Sequence, residues 1–180
     1  MEIGILDIQG DVSEHENILE SLGVRVRRVR RASDLETVSG MLIPGGESTV
    51  IGSIMAMRGI PDRIIQKKIP VMGTCAGLIL MSKDVEGGKS VLPLLDVSIQ
   101  RNGYGSQRES FEADLDVEGI GKFRGIFIRA PKIKRVGRGK VLSTFGGDAV
   151  MVSDGKNLGL TFHPEIYGDS RIHKLFLEGL

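Results

Sequence analysis

An α/β fold built on a parallel sheet is what this sequence predicts, and three observations predict it. Through residues 1–81 apolar strand-like runs alternate with helical runs, so that successive strands must be joined by helical crossovers and lie parallel. Glycine-containing turns close several of the apolar runs. One of those turns, Gly73-Thr74-Cys75-Ala76-Gly77, stands between an apolar run and a helical one, giving strand, sharp turn and helix in immediate succession.

The elements follow in order. Glu2 to Ile8 reads as a buried first strand, and Ser13 to Leu22 as a helix with Ser13 as N-cap, Glu16 three residues later and Gly23 as its stop. Val24 to Val29 alternates valine with arginine, as a strand with one apolar face does, and runs into a charged loop. A short helix near Ser33 to Thr37 precedes a strand at Met41 to Ile43, which enters Pro44-Gly45-Gly46. Helices are expected at Ser48 to Met57 and Pro61 to Lys67, then the strand Ile69 to Met72 and the helix after Cys75. From Leu94 the texture changes to short strands divided by Gly-rich turns: Leu95 to Gln100, Ser110 to Asp116, Phe123 to Ile128, Lys140 to Phe145, Ala149 to Ser153 and Leu158 to Phe162. A final helix begins near Asp169 and carries His173 to Leu177 back onto the sheet. No linker or repeat interrupts this order, so residues 1–180 are expected to form one domain.

Size and charge narrow the functional classes. A chain of 180 residues is long enough to bury one substantial core without disulfides or metal, and one cysteine cannot form an internal disulfide. Met1-Glu2-Ile3-Gly4 shows no basic segment leading into a long apolar stretch, and no apolar run reaches spanning length, so a soluble cytoplasmic protein without membrane contact is expected. The net charge of +1, from 24 basic and 23 acidic residues, selects neither nucleic acid nor an anionic membrane. Arg25, Arg27, Arg28, Arg30 and Arg31 have no interleaved aromatic side chains and read as a solvated edge or partner contact.

Chemistry concentrates at Cys75. A Gly-x-Cys-x-Gly turn between strand and helix has the form of a nucleophile elbow, whose small flanking residues let a strained backbone lift the sulfur clear of the sheet. An exposed thiol at a helix N-terminus would be favoured as the attacking thiolate. The competing reading is a small buried apolar residue without chemistry. A cysteine nucleophile needs a base, and the base an orienting group. His163 in Phe162-His163-Pro164-Glu165 falls at a strand's carboxyl end, and Glu165 flanks the proline on a similar side. In an open parallel sheet the site lies beyond those ends, where the Gly45-Gly46 loop also falls. Glycine there lets backbone N–H groups approach an oxyanion, with the amide following Cys75 as second donor; the plain alternative is a turn into a helix capped by Ser48. The loop lacks the Gly-Lys-Ser/Thr ending of a phosphate loop. Three dispersed histidines with one cysteine have no zinc-ligand spacing, so neither metal nor cofactor is expected. His15 is read as a surface or capping residue and His173 as a surface residue of its helix.

Taken together, Pro44-Gly45-Gly46-Glu47-Ser48-Thr49, Gly73-Thr74-Cys75-Ala76-Gly77-Leu78 and Phe162-His163-Pro164-Glu165 resemble the class I glutamine amidotransferases. Ile5-Leu6-Asp7-Ile8-Gln9-Gly10-Asp11 with Glu14-His15, Arg101-Asn102-Gly103-Tyr104-Gly105, Ser110-Phe111-Glu112-Ala113 and Phe127-Ile128-Arg129-Ala130-Pro131 narrow the resemblance to the glutaminase subunit of pyridoxal 5′-phosphate synthase, the PdxT family, over nearly the whole chain. The resemblance implies a flavodoxin-like three-layer α/β/α sandwich with a mostly parallel central sheet. It also implies hydrolysis of L-glutamine to glutamate and ammonia, and delivery of the ammonia to a separate synthase subunit, a TIM-barrel oligomer. By position it implies Cys75 as nucleophile, His163 as acid/base and Glu165 as orienter, with oxyanion donors at Gly46 and Ala76. Gly46, Glu47, Ser48, Arg101, Ile128 and Arg129 match the glutamine-binding positions, and Gln9 a residue tied to activation on docking. Asp7 and Ser106-Gln107-Arg108 depart from the family's usual pattern. Two other readings stay open at this level: a peptidase- or deglycase-like relative with a similar elbow, and a regulatory or scaffold subunit without turnover.

Overall fold

The computed structural model describes residues 1–105 and 109–180; the variant stretch Ser106-Gln107-Arg108 lies outside the described residues. In chain order the elements are β1 (Glu2–Leu6), α1 (Val12–Ser21), β2 (Arg25–Val29), a 3₁₀ turn (Ala32–Leu35), β3 (Gly40–Ile43), α2 (Ser48–Met57), α3 (Ile60–Lys67), β4 (Val71–Thr74) and α4 (Ala76–Met81). They continue with β5 (Ser82–Val85), β6 (Leu95–Gln100), β7 (Ser110–Val117), β8 (Gly121–Ile128), β9 (Lys132–Val136), β10 (Lys140–Phe145), β11 (Asp148–Ser153), β12 (Leu158–Leu160) and α5 (Arg171–Glu178). The central sheet has seven strands in the order β10-β11-β12-β4-β3-β1-β2. From β12 to β2 every pairing is parallel, while β10 and β11 add an antiparallel edge. This is the expected flavodoxin-like α/β arrangement, with two accessories beside it: the sheet β5-β6-β9 and the hairpin β7-β8.

Period-two alternation sorts the strand side chains onto two faces. Met41, Ile43 and Val71 point to one side, where Ile51 and Met55 of α2, Ile64 of α3 and Leu78 of α4 close over them. Ile3, Ile5, Leu42 and Met72 point to the other, under Leu19 of α1, Phe176 of α5 and the aromatic side chains of the β7-β8 hairpin. Burying both faces is what a mostly parallel sheet requires. Among the described residues no helix is long and apolar enough to cross a membrane.

Several boundaries differ from the sequence reading. Helix α1 starts at Val12 with Asp11 as N-cap, not Ser13, and no side chain caps it; the Asp11 carboxylate turns instead toward His163, 3.3 Å away. Similarly, Glu47 rather than Ser48 caps α2, accepting from the amides of Thr49 and Val50 at 2.9 and 2.8 Å. Strands β5 and β9 were not foreseen. Both are short and rich in charge, and each is held by pairing with β6 rather than by an apolar pattern of its own. Strand β12 ends at Leu160, two residues earlier than its apolar run. Asp7, the departure from the family pattern, sits just past β1 and pairs with Arg30 at 2.6 Å and Arg28 at 3.9 Å on the β2 side. Arg27 pairs with Glu2 and Arg28 with Glu16, so much of the arginine run is tied down as a solvated edge.

His15, read as a surface or capping residue, and His173, read as a surface residue, are the clearest corrections. His15 and His173 are both 0% exposed. Their rings meet where α1 and α5 pack on the same sheet face, with His15 Nδ1 2.8 Å from His173 Nε2. Each ring gives the other a hydrogen-bond partner in the core, which helical periodicity could not reveal.

Two predictions follow from packing and burial. A Cβ on Gly77 would lie 2.0 Å from the Ile43 carbonyl oxygen, a backbone atom that cannot rotate away. Gly77→Ala should therefore lower stability by about 1–3 kcal/mol in denaturant unfolding; an unchanged midpoint and slope would contradict the packing at the elbow. Burial depresses His173 from 6.5 to about 4, against an opposing pull from Asp169, and burial likewise pushes His15 well below its ordinary value. The unfolded chain thus takes up these protons first, so the contribution to stability is complete above about pH 6.5 and declines as pH falls toward 4. Each such group adds a slope of up to about 1.4 kcal/mol per pH unit in that window. His173→Leu should flatten the fall in unfolding free energy between pH 6.5 and 5, measured by denaturant titration at each pH.

Candidate active site

Three adjacent parallel strands, β12, β4 and β3, end together and deliver the chemistry-bearing residues. Register pairs Leu160 with Thr74 and Ile43 with Gly73, so the segments that follow leave the sheet side by side. Cys75 comes immediately after Thr74, with a positive φ of 50° and ψ −103°. That is a strained position for a side chain with a Cβ, and it is enforced by its surroundings. The Cys75 amide donates to the Leu160 carbonyl at 2.9 Å. Gly73 and Gly77 stack so closely that a Cβ on Gly73 would lie 2.6 Å from the Gly77 carbonyl carbon. The expected elbow is present, but the expected exposure is not: Cys75 is 8% accessible, because the end of β8 lies against it, with Sγ 3.8 Å from the Ile128 carbonyl oxygen.

His163 is pinned from both sides. Its amide donates to the Ile126 carbonyl at 2.8 Å, tying it to β8, and the Gly45 backbone lies so near its ring that a Cβ there would come within 2.5 Å of Cε1. Nδ1 is 2.6 Å from Glu165 Oε1 and 3.3 Å from Asp11 Oδ2, and Cys75 is near enough to favour the charged ring. Burial opposes a charge on the imidazole, yet Asp11, Cys75 and Glu165 together outweigh it and drive His163 up to about 12. The ring is then an imidazolium at neutral pH. Glu165 is 2% exposed, and burial raises its carboxyl while His163 pulls it down. Asp11, half-exposed at the mouth of α1, is lowered by its hydrogen bond to His163 against the opposing effect of burial. One ligand atom each from Asp11, His163 and Glu165 lie within 4.8 Å of one another. Those same atoms are engaged in the pairing just described, which is what a buried cation between two carboxylates requires.

The residues matched to substrate and oxyanion positions divide into two groups. Gly46 follows β3 with φ 137°, and Gln9 packs against it, its Oε1 accepting from the Glu47 amide at 3.1 Å. Glu47 spends its carboxylate on the first turn of α2, and those two backbone amides hold it below the usual carboxylate range. Arg101 reaches the same turn, donating from Nη1 to Thr49 Oγ1 at 3.1 Å, with its Nε buried and without a partner among the described residues. Beside them a cavity of about 640 Å³ is lined by Ser48, Thr49, Ile79 and Arg101. On the other side of the sulfur, Ile128 presents its carbonyl to Cys75, and Arg129 takes a left-handed φ of 43° with an exposed side chain. Ala76 is the first residue of α4, where the opening amides have no acceptor within the helix.

Sequence reading missed three contributors to this centre: Asp11, His15 and Thr74. His15 Nε2 lies 3.5 Å from Glu165 Oε2 and 3.4 Å from Thr74 Oγ1. Asp11 and His15 were visible as the polar entry to a helix that leaves the carboxyl end of β1. That strand end borders the site, and this was the available signal.

The arrangement can perform nucleophilic chemistry: a sulfur on a strained turn, an imidazolium beside it and a buried carboxylate behind the ring. Known proteins agree on the lineage. The model of the SNO glutamine amidotransferase family matches residues 5–180. Relatives include pyridoxal 5′-phosphate synthase subunit PdxT of Thermoplasma volcanium, 48% identical and covering 98% of this chain and 94% of the relative. The protein of the same name from Staphylococcus haemolyticus is 43% identical, with 99% and 98% coverage. A crystal structure of a glutamine amidotransferase superimposes with a TM-score of 0.95 at 41% identity, covering 98% of this chain and 97% of the other. This chain belongs to the SNO glutamine amidotransferase family.

Proposed function

We propose that this chain, as one glutaminase domain, hydrolyses L-glutamine to glutamate and ammonia as the PdxT subunit of pyridoxal 5′-phosphate synthase, through Cys75, His163 and Glu165. The observation that carries the reading is the contiguous arrangement in which Cys75 stands near enough to His163 to favour its charged form and His163 Nδ1 meets Glu165 Oε1 at 2.6 Å. The family match and the PdxT relatives support glutamine as the substrate.

In this mechanism the Cys75 sulfur attacks the side-chain amide carbon while its proton resides on His163. Backbone amides at Gly46 and Ala76 receive the developing oxyanion. His163 gives its proton to the departing nitrogen, ammonia leaves, and a γ-glutamyl thioester remains on Cys75. His163, now neutral, takes a proton from water, which attacks the thioester and releases glutamate. Glu165 holds the imidazole by Nδ1 throughout, so that Nε2 does the transfers. Glutamine is held by Glu47, Ser48, Arg101, Ile128 and Arg129 around the sulfur.

Coupling to the synthase follows from Gln9. Its side chain occupies the Glu47 amide beside Gly46, and Gln9 stands in the segment three residues past β1. Docking of the synthase on this edge would release the loop and align the Gly46 amide. The reaction then proceeds when an acceptor for ammonia is present.

Glutamate release by the isolated chain and by its complex with the synthase subunit tests this reading. We expect low turnover alone and strong stimulation in the complex; equal rates would sink the coupling. Cys75→Ala should abolish turnover in the complex, and His163→Asn should lower kcat by roughly 10²- to 10⁴-fold. Full glutamine turnover in the Cys75→Ala complex would remove the triad.

A further inference from the structure

The pairing described so far leaves one atom of the centre unsatisfied. Glu165 Oε1 meets His163 Nδ1, but Oε2 is buried without a hydrogen-bond partner among the described residues. A bare carboxylate oxygen in a dry interior is costly, and a donor facing it at long range is therefore informative. That donor is His15 Nε2, 3.5 Å away. Catalytic hydrogen bonds in unliganded sites are often long and tighten when substrate is bound.

Counting protons fixes how His15 is arranged. Only one proton can lie between His15 Nδ1 and His173 Nε2, which are 2.8 Å apart. If His15 supplied it, the Nε2 lone pair of His15 would face the carboxylate of Glu165. His173 would then carry its proton on Nδ1, which is buried and has no partner among the described residues. If His173 supplies it, His15 accepts at Nδ1 and presents Nε2–H to Glu165 Oε2, and the orphan on His173 Nδ1 is a lone pair. Orphaned buried N–H groups are the rarer and costlier kind. Both arrangements keep the two rings neutral, so the orphaned N–H separates them. The groups that face them are His163, Asp11, Glu165, Thr74 and Asp169, and burial outweighs the two aspartates in holding the pair uncharged.

Resting on the triad reading, we propose that His15 and His173 are positioning residues for the reaction: His173 Nε2–H fixes the tautomer of His15, and His15 Nε2–H holds Glu165 by its second oxygen. A carboxylate held at both oxygens cannot rotate when His163 changes from acid to base and its attraction for Oε1 weakens. The ordered chain Cys75, His163, Glu165, His15, His173 then runs through the buried face of the sheet and is closed by the last helix. His15 also touches Thr74, the residue before the nucleophile, at 3.4 Å, so both arms of the site rest on the same ring.

The test uses the complex with the synthase subunit and steady-state glutaminase kinetics. His15→Leu should lower kcat by roughly 10- to 100-fold with KM for glutamine little changed, the scale on which a group orienting a catalytic ligand acts. His15→Gln, which keeps an N–H near the Nε2 position, should restore most of kcat. His173→Leu should cost less than His15→Leu, and His173→Gln should recover it. ¹⁵N-histidine spectra of the chain at pH 7 should show His15 and His173 both neutral and protonated at Nε2. Wild-type kcat in a folded His15→Leu complex, or His15 protonated at Nδ1, would overturn the proposal. Should His15→Leu not fold, the tautomer spectrum and the His173 pair of variants decide it. The underlying triad reading fails differently: there, Cys75→Ala would retain turnover, whatever His15 does.

Discussion

The strained turn at Cys75 is the constraint on which the rest of the site depends. A cysteine held at φ 50° is stable only because every neighbour is already committed. Gly73 lies on Gly77, Gly77 lies on the Ile43 carbonyl, and the Cys75 amide is bonded to Leu160. These contacts join β3, β4 and β12 at their ends. The fold therefore supports the strain, and the strain aims the sulfur toward the segments that leave β8 and β12.

Electrostatics completes what the turn begins. A histidine driven up to about 12 in a buried setting needs anions close by, and two carboxylates supply them from different directions. Glu165 comes from the same segment as His163, two residues on, and is held behind the ring at 2.6 Å. Asp11 comes from the start of α1 and stays half-exposed, at 3.3 Å. Behind Glu165 the polar chain continues into neutral rings rather than into solvent. A charged pair flanked by neutral, hydrogen-bonded groups avoids adding further charge to the interior, where each unpaired ion would cost several kcal/mol.

Local chemistry explains which readings of the sequence held at the level of elements. Alternating strands and helices at residues 1–81 became the parallel part of the sheet, because period and turn residues act over short distances. Strands β5 and β9 carry no such signal: their charge-rich segments are strands only because β6 offers its edges. Caps were misplaced for a related reason. Asp11 lies two residues and Glu47 one residue before the serine expected to cap the helix, and the Asp11 carboxylate is engaged by His163, more than 150 residues away.

The sequence by itself determined the α/β class, the elbow around Cys75 and the His163-Pro164-Glu165 segment, since turn geometry and residue spacing are written in consecutive residues. The tertiary structure alone decided that Cys75 is covered by β8, that Gln9 takes the Glu47 amide and that His15 meets His173 in the core. Those outcomes join segments from opposite ends of the chain, and a helical pattern specifies which face is buried without saying what is buried against it. The elbow was thus legible as a possible nucleophile, and its neighbours across space are what make it a particular one.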